Sequence, residues 1–320
     1  MTSKPSNLFI LITIFIGIIS VSTSSIFIRF ASSDASSLAI AAYRLAFSII
    51  LLTPIVLTFY RKELFSIQFK YLIRGVGAGI FLSIHFATWI SSLNYTSVAS
   101  SVVLVSTTPL WVAILSPFIL HEKVSKNIIL GMLFSLAGGL IVGISDACQI
   151  QNSQLACPPI TSFIQDTNFL GDMLALFGAW MAAGYIIVGR TLRSKVSLIP
   201  YVYVVYGTAA IALVLFLFFS HNKIIGFQPS TYLWLVLLAI IPQLIGHTTF
   251  NWALRFLPAS LVSITMMGEP IGSTILAYVI LKEKPTPFKI VGAIFILFGI
   301  YIASNVKSKT VDIPYKPTKN

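Results

Sequence analysis

Charged side chains are scarce in this chain. They make up 9% of its 320 residues, against 57% hydrophobic ones, and the mean hydropathy is +0.92. A soluble domain carries about 25% charged residues, so a surface this poor in charge could not be solvated by water. The scarcity excludes an ordinary water-soluble protein and makes the chain an integral membrane protein. Acidic residues are the rarer sign, 9 Asp and Glu against 21 Lys and Arg, for a net charge of +12. That excess does not point to nucleic acid, because no basic cluster has interleaved aromatics and the cations fall between apolar runs. Cysteine is limited to Cys148 and Cys157 in one polar segment, which excludes a disulfide scaffold and, without further Cys or His nearby, a zinc site. A single bridge between the two is left open. His-Glu-x-x-His, Gly-x-Ser-x-Gly and Asp-rich motifs are missing, which argues against a membrane-embedded enzyme. A sensor or scaffold would add a soluble domain, and no segment has that composition. No cofactor and no metal are expected.

What the chain has in abundance is apolar length. Runs of about 20 residues, the length that crosses a bilayer, occur at 8–28, 37–59, 71–91, 98–120, 128–145, 169–189, 199–219, 232–252, 260–281 and 288–305. The first could pass for a signal peptide, but it is long for an h-region and is read as a retained span. Ten spans put both termini on one side. With the termini inside, Lys4, Arg61, Lys62, Lys70, Arg74, Lys123, Lys126, Arg190, Arg193, Lys195, Arg255 and the four lysines after residue 305 are cytoplasmic. Only Arg29, Lys223, Lys282, Lys284 and Lys289 are then external, so the positive-inside rule places both termini in the cytoplasm of a cell's plasma or inner membrane. The segment 146–168 is then external, in a compartment that permits a Cys148–Cys157 bridge.

The chain also repeats itself. Residues 93–141 lie over 254–302 at a constant offset of 161, matching Pro109 to Pro270, Glu122 to Glu283, Lys123 to Lys284, Gly131 to Gly292 and Gly138 to Gly299. Ile26 and Arg29 fall on Ile187 and Arg190 at the same offset. A repeated unit with five spans enters the bilayer from opposite sides in its two copies, the inverted architecture of many secondary transporters. The expected organisation is a first five-helix repeat over 1–145, an external connector over 146–168, a second repeat over 169–305 and a cytoplasmic tail over 306–320.

Polar groups inside hydrocarbon need a partner or a purpose. Glu269 stands roughly 13 Å from the inner end of its run and Arg44 roughly 10 Å from the outer end of its own, at 1.5 Å per residue. Either they line a central cavity, Glu269 for a cation or proton and Arg44 for an anion, or they pair with each other and fix the packing. His85 and His247 fall one residue off the common register, with Trp89 and Asn251 one helical turn later on the same faces. They are cavity candidates too, or neutral imidazoles bonded to nearby carbonyls. Pro109 and Pro270 each free a carbonyl one turn back, which makes them kink or gating candidates; Thr107 and Thr108 could satisfy the freed group. Trp111, Trp180, Tyr185, Tyr203 and Tyr206 could stack on a ligand or simply pack. Gly75-x3-Gly79 and Gly139-x3-Gly143 suit close helix contact within one bundle or at a dimer face, and leave oligomeric state open.

Several of these residues sit in longer patterns. His-Phe-Ala-Thr-Trp-Ile-Ser-Ser-Leu-Asn-Tyr-Thr-Ser-Val-Ala-Ser-Ser from His85, Thr-Pro-Leu at 108–110 and Leu-His-Glu-Lys at 120–123 resemble the EamA repeat of the drug/metabolite transporter superfamily. So do Gly-His-Thr-Thr-Phe-Asn-Trp-Ala-Leu from Gly246, Gly-Glu-Pro-Ile-Gly at 268–272 and Leu-Lys-Glu-Lys at 281–284. The resemblance implies an all-α integral membrane fold of ten transmembrane helices in two inverted five-helix EamA-type repeats around a central cavity. It further implies export of small organic metabolites, such as amino acids, or of toxic compounds. Alternating access with protons as a candidate coupling ion is the expected mechanism, and an uncoupled, channel-like facilitator is its alternative. Pro258 stands where the first copy has Ser97, and Val205 where Arg44 would recur.

Overall fold

The computed structural model describes residues 5–96, 98–147, 149–151, 154–156, 167–282 and 287–304. Cys148, Cys157, Glu283, Lys284 and the tail 306–320 lie outside the described residues. The first half comprises α1 (Asn7–Ser22), α2 (Ser24–Ala31), α3 (Ser37–Ile55), α4 (Arg61–Phe65), α5 (Phe69–Ser92), α6 (Val98–Val105), α7 (Thr108–Ile119) and α8 (Lys126–Ala147). A short antiparallel pair, β1 (Gln149–Gln151) and β2 (Gln154–Ala156), follows in the connector. The second half comprises α9 (Thr167–Arg193), α10 (Leu198–Phe219), α11 (Pro229–Leu238), α12 (Thr248–Ala253), α13 (Ala259–Met266), α14 (Glu269–Leu276) and α15 (Pro287–Ser304).

Among the described residues, seven helical segments are long and apolar enough to cross a membrane: Asn7–Ala31, Ser37–Phe65, Phe69–Ser92, Phe169–Arg193, Leu198–Phe219, Pro229–Ala253 and Ala259–Leu281. Three more apolar helices, Thr108–Ile119, Lys126–Ile141 and Ile290–Ala303, are shorter. They coincide with the runs 98–120, 128–145 and 288–305, and the first of these is short because its helix breaks before Thr108. The outward faces are the apolar ones, with Phe59, Phe118, Phe219 and Ile225 more than 70% exposed. In water such a surface would drive aggregation, whereas in lipid it is the solvated face.

Prolines set the irregularities. Pro54 precedes a π turn at Val56–Tyr60, and Pro242 lies inside a nine-residue π segment, Ala239–His247. A proline in mid-helix lacks its N–H, and wider turns re-satisfy the backbone around it. Where a kink is expected at Pro109 and Pro270, the structure has a full break. In both places proline becomes the second residue of a new helix, a position where its missing N–H costs nothing. The carbonyl freed by Pro109 is that of Val105, and the Thr108 hydroxyl donates to it at 2.7 Å.

Helix contacts pair off when the halves are exchanged. α5 packs on α9, and α1, the counterpart of α9, packs on Ala239–His247 and α12, the counterparts of α5. α9 also lies against α6 and α7, as α1 does against α13 and α14. The two self-paired contacts run antiparallel. Ile49 packs at Gly207 while the Thr53 hydroxyl lies 3.2 Å from that of Tyr203. In α8 and α15, Gly131 meets the backbone of Gly299, and a Cβ on Gly138 would sit 2.5 Å from the carbonyl oxygen of Gly292. Only glycine permits that approach at Gly131, Gly138 and Gly299.

Candidate functional site

The two helix breaks face one cavity. His85 and Trp89 come from α5, Val105, Ser106, Thr108 and Pro109 from the α6–α7 break, and Tyr185 from α9; His247, Ser263, Met266, Met267 and Glu269 complete most of the wall. The non-atom space of the cavity, including the open solvent at its mouth, is about 550 Å³.

Candidate residues from the sequence therefore meet there: His85, Trp89, Pro109, Tyr185, His247 and Glu269. Glu269 is the first residue of α14, where the helix dipole favours a negative charge. Its carboxylate has no hydrogen bond and no ion pair among the described residues; only its backbone carbonyl is engaged, by the Ser22 hydroxyl at 3.4 Å. His85 holds its ring by Nδ1, 2.9 Å from the Gly178 carbonyl. A carbonyl only accepts, so Nδ1 carries a proton and Nε2 is the ring's free nitrogen. The imidazole stacks on Trp89 at 5.9 Å with planes 9° apart. Trp89 Nε1 and His247 Nδ1 are buried and unpartnered.

The hydroxyls on the wall look outward as acceptors. Ser106 donates to the Val102 carbonyl at 2.6 Å, Thr108 to that of Val105 at 2.7 Å and Ser263 to that of Ser260 at 2.9 Å. Each hydroxyl hydrogen is thus occupied by a backbone carbonyl three or four residues earlier, while the oxygen lone pairs remain.

Arg44 and Asn251 do not line the cavity. Arg44 is fully buried, donating through Nε to Gln243 Oε1 at 2.8 Å and through Nη1 to Ser24 Oγ at 2.9 Å. Its guanidinium lies 4.2 Å from the centre of the Phe86 ring, whose edge-on neighbour at 5.3 Å is His247. The ion pairs among the described residues are Arg190–Glu122 and Lys223–Asp34, so Arg44 and Glu269 do not pair directly. Asn251 stands one layer behind the wall, donating through Nδ2 to the Tyr185 hydroxyl, to the Tyr206 hydroxyl at 3.3 Å and to the His247 carbonyl at 2.9 Å. Its work is to hold Tyr185 in place. Trp111 and Trp180 pack against each other edge to face at 5.0 Å, away from the cavity wall.

Sequence reasoning passed over Gln243, which lies one turn before His247 and receives Arg44. It also read Glu122 only as part of a repeated turn. That carboxylate joins the halves: Oε1 accepts from Arg190 Nε at 2.6 Å and Oε2 from the backbone N–H of Ala259 at 3.2 Å. Outside the spans, Asp34 accepts from Lys223 Nζ at 2.9 Å and from the Gln228 N–H at 2.7 Å. These bonds, Lys223 first, hold the Asp34 carboxyl below its ordinary value of 3.8. Among the described residues no cluster of His, Cys, Asp and Glu could hold a metal ion.

The EamA-like transporter family matches residues 8–144 and again 169–305. An uncharacterized transporter of Archaeoglobus fulgidus is 25% identical over 276 residues, covering 86% of this chain and 91% of its own length. A second from the same organism is 21% identical over 214 residues, covering 67% of this chain and 69% of its own length. A solved crystal structure superposes with a TM-score of 0.72 at 18% identity, covering 93% of this chain and 97% of that one; it supports the fold alone.

Proposed function

The chain belongs to the EamA-like transporter family, and from that premise we propose that it carries small organic solutes out of the cell by alternating access around the Glu269 cavity. It is a multi-pass membrane transporter of the drug/metabolite type. In the proposed topology ten spans form two inverted five-helix repeats with both termini cytoplasmic. The antiparallel contacts of α3 with α10 and of α8 with α15 support the inversion, because equivalent helices of two inverted units must run in opposite directions.

One observation carries the site: a carboxylate without a protein partner, at the start of a half-helix, facing a cavity between the two helix breaks. Broken helices at membrane depth are tolerated where they line a cavity, and their ends are where transporters of this architecture bind substrate and coupling ions. Glu269 is the proposed contact for a cationic group or a proton, with Trp89, His85 and His247 around it and Pro109 and Pro270 at the moving joints. Arg44 is assigned to the scaffold behind the cavity.

Counterflow in proteoliposomes across a panel of amines, amino acids and cationic dyes tests the reading. Uphill movement abolished by a protonophore marks proton coupling; unchanged downhill flux marks a facilitator. Glu269→Gln transporting every substrate at the wild-type rate and pH dependence would remove Glu269 from both roles.

A further inference from the structure

The cavity offers acceptors far more than donors, and this decides what it can hold. Among its lining residues Glu269 is the acidic side chain, His85 and His247 are the imidazoles, and none is Lys or Arg. Ser106, Thr108 and Ser263 have spent their hydroxyl hydrogens on backbone carbonyls and present lone pairs. His85 donates through Nδ1 to Gly178. On the wall the buried unpartnered nitrogens are Trp89 Nε1 and His247 Nδ1; Arg44 Nη2 and Gln243 Nε2, also unpartnered, belong to residues that do not line the cavity.

A ligand carboxylate would need charge-assisted donors, and no Lys or Arg on the cavity wall supplies them. Arg44 gives Nε to Gln243 and Nη1 to Ser24 and covers its face with Phe86; its Nη2 is buried without a partner, but the side chain stands behind the wall and does not line the cavity. The start of α7 does not replace it: Pro109 has no N–H, and those of Thr107 and Leu110 donate to the carbonyls of Leu104 and Thr107. A carboxylate entering beside Glu269 would meet a like charge without a counter-ion.

Resting on the cavity reading above, we propose that the ligand is a monocationic amine with an apolar, preferably aromatic, body and no carboxylate. An ammonium supplies three donors and a positive charge to Glu269 and the surrounding lone pairs. The stacked Trp89 and His85 rings and the side chains of Met266 and Met267 provide the face for the apolar body, and an aromatic face also attracts a cation. The specificity is against zwitterions: an amino acid is excluded by the carboxylate that separates it from its parent amine.

Phenethylamine and phenylalanine differ by that carboxylate alone and serve as the probe pair. The full chain, purified in detergent, is titrated with each and then reconstituted for counterflow, with protein-free vesicles subtracting passive permeation of the amine. Phenethylamine is expected to bind at least tenfold more tightly than phenylalanine and to be exchanged at least tenfold faster. Glu269→Gln is expected to abolish that preference and Glu269→Asp to restore part of it, in variants whose melting temperature and gel-filtration profile match wild type. Equal or better binding of phenylalanine overturns the proposal with wild-type protein alone, whatever the variants do. Exchange of neutral or anionic solutes, with neither probe moving, overturns it while leaving the transporter reading intact. If no solute of the panel moves through a folded, reconstituted protein, the transporter reading falls and takes the proposal with it.

Discussion

Replacing Glu122 by Gln, Arg190 by Gln, and both together measures how the two repeats are held at one end. Glu122 lies in the first family-matched region, and its partners Arg190 and Ala259 lie in the second. The side chains are 17% and 12% exposed, so the pair is neither a surface ion pair nor a sealed one. Exposed pairs contribute about 0.2–1 kcal/mol, and removing one partner of a buried pair costs about 3–5 kcal/mol. An intermediate burial with ideal geometry gives about 2–3 kcal/mol for either single change. Arg190 Nη1 retains the Leu254 carbonyl at 2.7 Å after Glu122 is neutralised, and that bond limits the loss. The double variant should cost less than the sum of the singles, with a coupling of about 1–3 kcal/mol. Melting in detergent at fixed pH and two salt concentrations reads all four corners of the cycle. Additive single effects, or a coupling that vanishes at moderate salt, would show that the contact is incidental.

Three further perturbations follow from the packing. Gly138→Leu drives a side chain into the Gly292 backbone, which cannot yield as a side-chain tip can, and should destabilise by about 1–3 kcal/mol or more, with Gly138→Ala intermediate; unchanged melting would refute the close α8–α15 contact. Arg44→Lys should lower the melting temperature, because a point charge cannot bond Gln243 and Ser24 while lying on Phe86, yet leave the phenethylamine to phenylalanine preference within twofold; a changed preference would put Arg44 back in the cavity. Asp34, whose pKa is lowered by folding, contributes stability that is fully present above its ordinary value of 3.8 and is lost as the pH falls through the folded pKa. Asp34→Asn should therefore flatten that acid limb of the melting profile, and an identical profile would exclude Asp34 as its source.

Much of the fold could be read from periodic and repeated features, and much of the site from cost. Apolar runs and the offset of 161 pointed to membrane helices and a repeat, but close contact in α8 was expected at Gly139-x3-Gly143, whereas α15 meets α8 at Gly131 and Gly138. His85, Trp89, His247 and Glu269 stood out because polar or amphipathic groups inside hydrocarbon are expensive, and they converge. The same argument misplaced Arg44. Cost shows that a buried guanidinium needs partners; it does not say that Gln243, 199 positions away, is one of them. The Glu122–Arg190 bond was hidden for a similar reason, since each residue looks like an ordinary charge at the end of a span. The three shorter helices and the full breaks at Thr107 and Gly268 also escaped, because proline announces a disruption without fixing whether the chain bends or restarts.

Symmetry and chemistry part company at the half-helices. Thr108 and Glu269 occupy equivalent places, each the first residue of a helix whose second residue is proline. Both starts have dipoles that favour negative charge. In the first repeat that tendency meets only a hydroxyl, and the Thr108 hydroxyl also reaches the Ala179 carbonyl at 3.3 Å, tying the break to α9. In the second repeat the carboxylate has no such tie. A symmetric pair of carboxylates facing one cavity would repel each other, so that one would take up a proton and the site would titrate as a coupled dyad. A symmetric pair of threonines would leave the cavity without charge. The single carboxylate gives a site that one cation or one proton can neutralise, which is the competition an exchanger requires.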